Sequence, residues 1–183
     1  SQRLQHLPNA VDTDLFCPMD ENRCRADLAM ADDVYHLLFV GKLTENKGVT
    51  YLAEAMTELP SNVHLTIVYS GVDEEVLAQV ETLLAENGIL DQVTFVGTVE
   101  QDNLPIYYNA ADVCVFPSVN EGFGVVTLEA MACGTPVVVT TEHASGGHLT
   151  HGDNGLVAEK RSASSLAENI QRLLDSPQLR AQL

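Results

Sequence analysis

Four side chains in this chain have the type and the placement to do chemistry: Lys42, Lys47, Glu121 and Glu129. The chain holds nine Lys plus Arg against 26 Asp plus Glu, yet Lys42 and Lys47 are the only cationic side chains between Ala26 and Glu159. Both follow a continuous apolar run, Tyr35 to Val40, within Gly41-Lys42-Leu43-Thr44-Glu45-Asn46-Lys47-Gly48. A helix starting near Asn46 would add its amide N–H groups and dipole to the two ammoniums, making an anion site suited to a diphosphate. The plainer reading is two solvated lysines, the usual fate of that residue. Glu121 and Glu129 lie on the segment from Phe116-Pro117 through the Gly-rich turn at Gly122-Phe123-Gly124 to Cys133-Gly134. If both are near helical, about 12 Å separates them along the axis. Glu129 is flanked by Val125, Val126, Leu128, Ala130, Met131 and Ala132, so its carboxylate requires a thin polar stripe or a hydroxyl or amide partner. Glu121 either borders the crevice into which the first helical turn aims its N–H groups or simply complements the helix dipole.

The elements that must hold these residues read as alternating strands and helices. Apolar strand-length runs occur at Tyr35 to Val40, Val63 to Tyr69, Val93 to Val96, Val113 to Phe116, Val137 to Val139 and Gly155 to Ala158. Between them, helical spacing appears at Val49, Leu52, Ala53 and Met56, and again from about Asp73 to Asn87 with Gly88 beyond. A further helix runs through Tyr108 to Ala111 with Asp102 as its candidate cap, another starts near Gly124, and an amphipathic one covers Ser164 to Leu174. Residues 17 to 33 allow a short helix, and another is expected from Leu179. The alternation predicts a Rossmann-like three-layer α/β/α fold around a six-stranded parallel sheet. Ligands in such sheets bind beyond the carboxyl ends of the strands. Gly41 to Gly48, Gly97 to Val99 and Phe116 to Gly124 then share one rim.

Composition removes some alternatives. A formal charge of −17 over 183 residues argues against nucleic acid and anionic membrane as partners. Cys17, Cys24, Cys114 and Cys133 have no Cys-x-x-Cys spacing and read as small apolar residues in a reducing compartment. No charged-then-apolar leader and no bilayer-length apolar run is present, so a soluble cytoplasmic protein is expected. His143, His148 and His151 are scattered without ligand spacing and predict no metal site.

The run Glu121-Gly-Phe-Gly ending in Glu129-Ala-Met-Ala-Cys-Gly-Thr-Pro-Val-Val resembles the Glu-seven-Glu signature of retaining, nucleotide-sugar-dependent glycosyltransferases of family 4. Gly41-Lys42-Leu43 with Asn46-Lys47-Gly48 resembles that family's Gly-Arg-Leu and Lys-Gly motif. The resemblance implies one half of a two-domain GT-B fold, with residues 1–16 as linker and 17–183 as the donor-nucleotide-binding domain. It also implies that the N-terminal acceptor half is missing and that the domain alone turns over little or nothing. The expected location stays cytoplasmic, with any inner-membrane contact made through the missing half. The implied reaction moves a hexose from a UDP or GDP sugar, or another nucleoside diphosphate sugar, to a hydroxyl acceptor, without a required metal or other cofactor.

Carried over residue by residue, Lys42 and Lys47 hold the diphosphate, and Glu129 binds the ribose hydroxyls. Glu121 stands near the reacting sugar, with the amides of Phe123, Gly124 and Val125. Gly41 opens the phosphate loop, and Gly97, Thr98 and Val99 border the base. Lys42 stands where Arg is commoner, which keeps the charge and loses the bidentate fork. Tyr69-Ser70-Gly71-Val72 replaces the usual Gly-x-Gly-Pro turn, and His143-Ala144-Ser145-Gly146-Gly147 departs from the family's Gly-Gly-x-Pro-Glu element. A non-catalytic nucleotide-sugar-binding module and another GT-B enzyme, such as a nucleotide-sugar epimerase, remain as alternatives.

Overall fold

The computed structural model describes residues 10–120, 124–141 and 149–183. Six parallel strands form one sheet in the order β3-β2-β1-β4-β5-β6. They are β1 (Tyr35–Leu43), β2 (Val63–Val72), β3 (Val93–Val96), β4 (Val113–Phe116), β5 (Val137–Thr140) and β6 (Leu156–Ala158). The helices are α1 (Glu21–Asp27), α2 (Val49–Met56), α3 (Glu74–Glu86), α4 (Leu104–Ala110), α5 (Val125–Ala132), α6 (Ala163–Asp175) and α7 (Pro177–Gln182). The predicted Rossmann-like α/β architecture with six parallel strands is therefore the observed one. Among the described residues no helix is long and apolar enough to cross a membrane.

Strand alternation divides the core in two. Leu37, Phe39, Leu65, Ile67, Val113 and Val115 face one layer, where α2, α3 and α6 contribute Leu52, Val80, Ile170 and Leu173. Leu38, Val40, Val68, Cys114, Phe116 and Val139 face the other, with Phe16, Tyr108 and Ala130. The strands bury apolar side chains on both faces, as all-parallel sheets require. Helix ends follow the local chemistry. Asp73 caps α3 by accepting from the Glu75 N–H, and Ser162 caps α6 by accepting from the Ser165 N–H. At the amino edge of the sheet, the Asp112 carboxylate accepts from the Arg25 guanidinium at 2.9 Å and from the His36 N–H at 2.8 Å, tying α1 to β1 and β4.

Three local expectations are corrected. β1 does not stop at Val40: pairing continues from Gly41↔Tyr69 to Leu43↔Val72 with one extra residue on β2, so Lys42 projects from a bulged strand end. No α-helix starts near Asn46. Glu45–Lys47 is a 3₁₀ turn, and α2 begins only after Gly48. Asp102 does not cap α4, because it lies inside the 3₁₀ turn Gln101–Asn103 and α4 follows from Leu104 with Pro105 in its first turn.

Candidate functional site

The rim predicted from the sequence is built by contacts between loops distant in the chain. Gly48 has φ +69°, and a Cβ there would stand 2.0 Å from the Pro117 carbonyl oxygen. Only glycine permits the turn after β1 to lie against the turn after β4. The Asn46 carbonyl accepts from the Val119 N–H at 2.9 Å and from the Asn120 N–H at 3.3 Å, fastening the same two loops. Thr140, fully buried at the end of β5, donates its hydroxyl to the Ser118 carbonyl. Lys47 therefore sits in a turn fixed directly beside the segment that leads to Glu121.

A cleft of about 290 Å³ opens at the carboxyl ends of β1 and β2. Gly41, Val99 and Glu129 all line it, three of the residues singled out from sequence. Val40, Tyr69, Ser70, Gln101, Leu104 and Val126 complete much of its wall. Lys42 follows Gly41 directly and is exposed, and its methylene stem passes beside Gly71, whose missing Cβ would lie 3.7 Å from Lys42 Cγ. Gly97 and Thr98 are exposed just before Val99, and a Cβ on Gly97 would meet nothing within 4 Å. Gly124, at φ +60°, precedes the first residue of α5, Val125, which is exposed. Glu121 and Phe123 lie outside the described residues, as do His143 and His148.

Glu129 has the partner its apolar surroundings demand. It is 7% exposed, and Tyr108 donates its phenol to Glu129 Oε2 at 2.7 Å. Burial pushes the Glu129 carboxyl above its ordinary range, while the Tyr108 hydrogen bond pulls the other way. Burial, reinforced by the charge of Glu129, raises the Tyr108 phenol well above the usual tyrosine value, so it remains a proton donor. The sequence places Tyr108 on a helix and gives no sign of this task, since its partner is 21 positions away. Tyr69, which the sequence sets at this rim as a bulky departure able to reshape a nucleotide pocket, does line the cleft, whereas Gln101, Leu104 and Val126 were not singled out as site residues. In the structure Tyr69 pairs with Gly41 across β1 and β2, which holds it on the rim.

Elsewhere, a larger hollow of about 360 Å³ lies at the amino ends of β1, β2 and β3 among His36, His64 and Thr94, away from every residue the sequence marked. His151 accepts from the Val157 N–H at 2.9 Å. Among the described residues no group of three or more His, Cys, Asp or Glu is arranged to hold a metal ion.

Comparison with known proteins gives this geometry a context. D-inositol 3-phosphate glycosyltransferase of Geodermatophilus obscurus is 37% identical over 177 residues, covering 92% of this chain and 39% of that protein. Sucrose-phosphate synthase from Thermosynechococcus elongatus superposes with a TM-score of 0.86 at 34% identity, over 94% of this chain and 43% of that one. The Anabaena Alr3699/HepE structure in complex with UDP-glucose gives a TM-score of 0.86 at 25% identity, over 95% of this chain and 48% of that one. The chain thus spans less than half the length of these relatives. The family model described as "Glycosyl transferases group 1" matches residues 20–183, so nearly the whole chain, the cleft included, belongs to the group 1 glycosyl transferases.

Proposed function

We propose that this chain binds the donor of a retaining hexosyl transfer, a nucleoside diphosphate sugar laid across the carboxyl ends of the sheet. The observation that carries the reading is the meeting of Gly41, Val99 and Glu129 in one cleft, with Lys42 on the adjoining strand end. In this reading Glu129 accepts hydrogen bonds from the ribose hydroxyls, and Gly97, Thr98 and Val99 border the base. Lys42 and Lys47 neutralise the diphosphate and stabilise the charge that grows on it as the bond to the sugar breaks. Glu121 positions the reacting sugar with the amides of Phe123, Gly124 and Val125. The acceptor hydroxyl attacks on the face that the diphosphate leaves, and a phosphate oxygen helps to take its proton. No step requires a metal ion, since the two ammoniums supply the countercharge. Support comes from the Anabaena relative, whose structure holds UDP-glucose, and from two relatives whose names describe sugar transfer or sugar-phosphate synthesis. Calorimetric titration of the chain with UDP, GDP and ADP tests the proposal. One of the three should bind and the others more weakly. Absence of binding by all three at millimolar concentration overturns it.

A further inference from the structure

We infer that Tyr108 is a positioning residue for nucleotide recognition: from beneath the cleft, its hydroxyl fixes the Glu129 carboxylate in the orientation that presents it to ribose hydroxyls. The inference rests on the role proposed above for Glu129. A glutamate side chain has three rotatable bonds, and ordering it only when ligand arrives would subtract from affinity. Here that ordering exists before the ligand. Tyr108 is fully buried, and its own freedom is removed from three directions. Its carbonyl accepts from the Thr135 hydroxyl at 2.7 Å, which joins α4 to the turn after α5. The ring of Phe16 stands edge-on to the Tyr108 ring, with centroids 5.9 Å apart and planes at 68°. Next to it, Asn109 accepts from the Met19 N–H at 2.7 Å and donates to the Cys17 carbonyl at 3.1 Å, fastening α4 to the segment before α1.

The hydrogen bond takes one lone pair of Glu129 Oε2. The remaining lone pairs of the carboxylate can accept from both hydroxyls of a ribose. A tyrosine that served only as core filling would have no need of its hydroxyl. A phenylalanine would pack equally well and would spare the carboxylate its only described side-chain donor.

The test compares UDP, or whichever of UDP, GDP and ADP binds best, with its 2′,3′-dideoxy form by calorimetry, in wild type, Tyr108→Phe and Glu129→Ala, with thermal melting as the control for folding. In the wild type, UDP binds more tightly than the dideoxy compound. Tyr108→Phe should weaken UDP about tenfold, the cost typical of one hydrogen bond to a charged group, and leave the dideoxy compound unchanged. Introducing 4-aminophenylalanine at position 108 restores a donor and should restore the discrimination. If Glu129→Ala removes the discrimination while Tyr108→Phe keeps it, the inference about Tyr108 is overturned and the role of Glu129 stands. If Glu129→Ala keeps the discrimination, the role of Glu129 itself fails.

A pH profile carries the test even if Tyr108→Phe does not fold. Among the described residues, Tyr108 from α4 bonds Glu129, Cys133 from the end of its own helix feels its charge, and Tyr69 and Gln101 share the cleft with it. Replacing Tyr108 alone with 3-fluorotyrosine keeps the shape and strengthens the donor, so the acid limb of UDP binding should move to lower pH. In a folded Tyr108→Phe variant the limb moves to higher pH. A limb unmoved by the fluorinated residue overturns the proposal.

Discussion

At the scale of single residues, the buried Glu129 exchanges stability for an acceptor in the cleft. Its carboxyl is held above its ordinary range by desolvation, so the folded protein binds that proton more tightly than the unfolded chain does. This carboxyl therefore favours the fold on the acid side, and its contribution is lost as pH rises from about 4.5 through the folded-state value. Glu129→Gln removes the titration while keeping a carbonyl oxygen for Tyr108. The melting temperature of the variant minus that of wild type should grow from pH 4.5 to pH 8, while UDP affinity falls at pH 8. A difference that is flat with pH rejects the desolvated carboxylate. The two lysines make a second residue-level prediction. Lys42→Ala with Lys47→Ala should weaken UDP by at least 100-fold, from the loss of two charge-assisted contacts. Calorimetry showing undiminished affinity in the double variant would remove both from the phosphate site. That Glu129 needs a polar partner was legible in the sequence because its neighbours are apolar, and the two lysines were noticeable because no other cation lies between Ala26 and Glu159. Tyr108 was not legible, because nothing in the spacing from position 108 to 129 announces a contact between two different helices.

At the scale of elements, parallel strands buried on both faces leave long β-branched runs, which is why all six strands and most helices could be placed from sequence. Glycine was less readable. Gly41 resembles a strand terminator, yet β1 continues past it because β2 supplies partners as far as Val72. Gly48 resembles a helix residue, yet its contact with Pro117, far along the chain, forces φ +69° and breaks the expected helix into a 3₁₀ turn and α2. This contact can be measured against a control inside the same molecule. Gly88 has the same φ of +69° but would meet nothing within 4 Å, so Gly88→Ala should cost about 1 kcal/mol from backbone conformation alone. Gly48→Ala adds a collision with backbone and should cost about 3 kcal/mol or more in urea denaturation. It should also weaken UDP binding, since the lysine turn and the β4–α5 loop must separate. Equal costs at the two glycines would mean that the two loops are not held together as described.

At the scale of the whole molecule, the −17 charge works against both compactness and the binding of an anion. Among the described residues, α1 carries attractive pairs that salt would weaken: Arg25 meets Glu21 at 2.8 Å and Asp112 at 2.9 Å, and Arg23 meets Asp27 at 4.0 Å. The Arg23 pair is mostly exposed and contributes little, whereas the Arg25–Asp112 pair is largely shielded from solvent. Repulsion among the remaining carboxylates is long in range and open to screening. The Debye length shrinks from about 30 Å at 0.01 M salt to about 10 Å at 0.1 M, below the width of a domain this size. Added KCl should therefore raise the melting temperature between 0.01 and 0.3 M, with most of the rise in the first tenfold of concentration. For UDP the same screening relieves repulsion from the protein as a whole while weakening attraction to Lys42 and Lys47. If those ammoniums meet the diphosphate at contact distance, as proposed, screening between them is weakest, and affinity should change less with salt than a surface cluster of lysines would allow. A melting temperature that falls steadily with KCl would show that short-range ion pairs, not net repulsion, govern the electrostatics of the fold, and the two lysines would then lose the significance their isolation gives them.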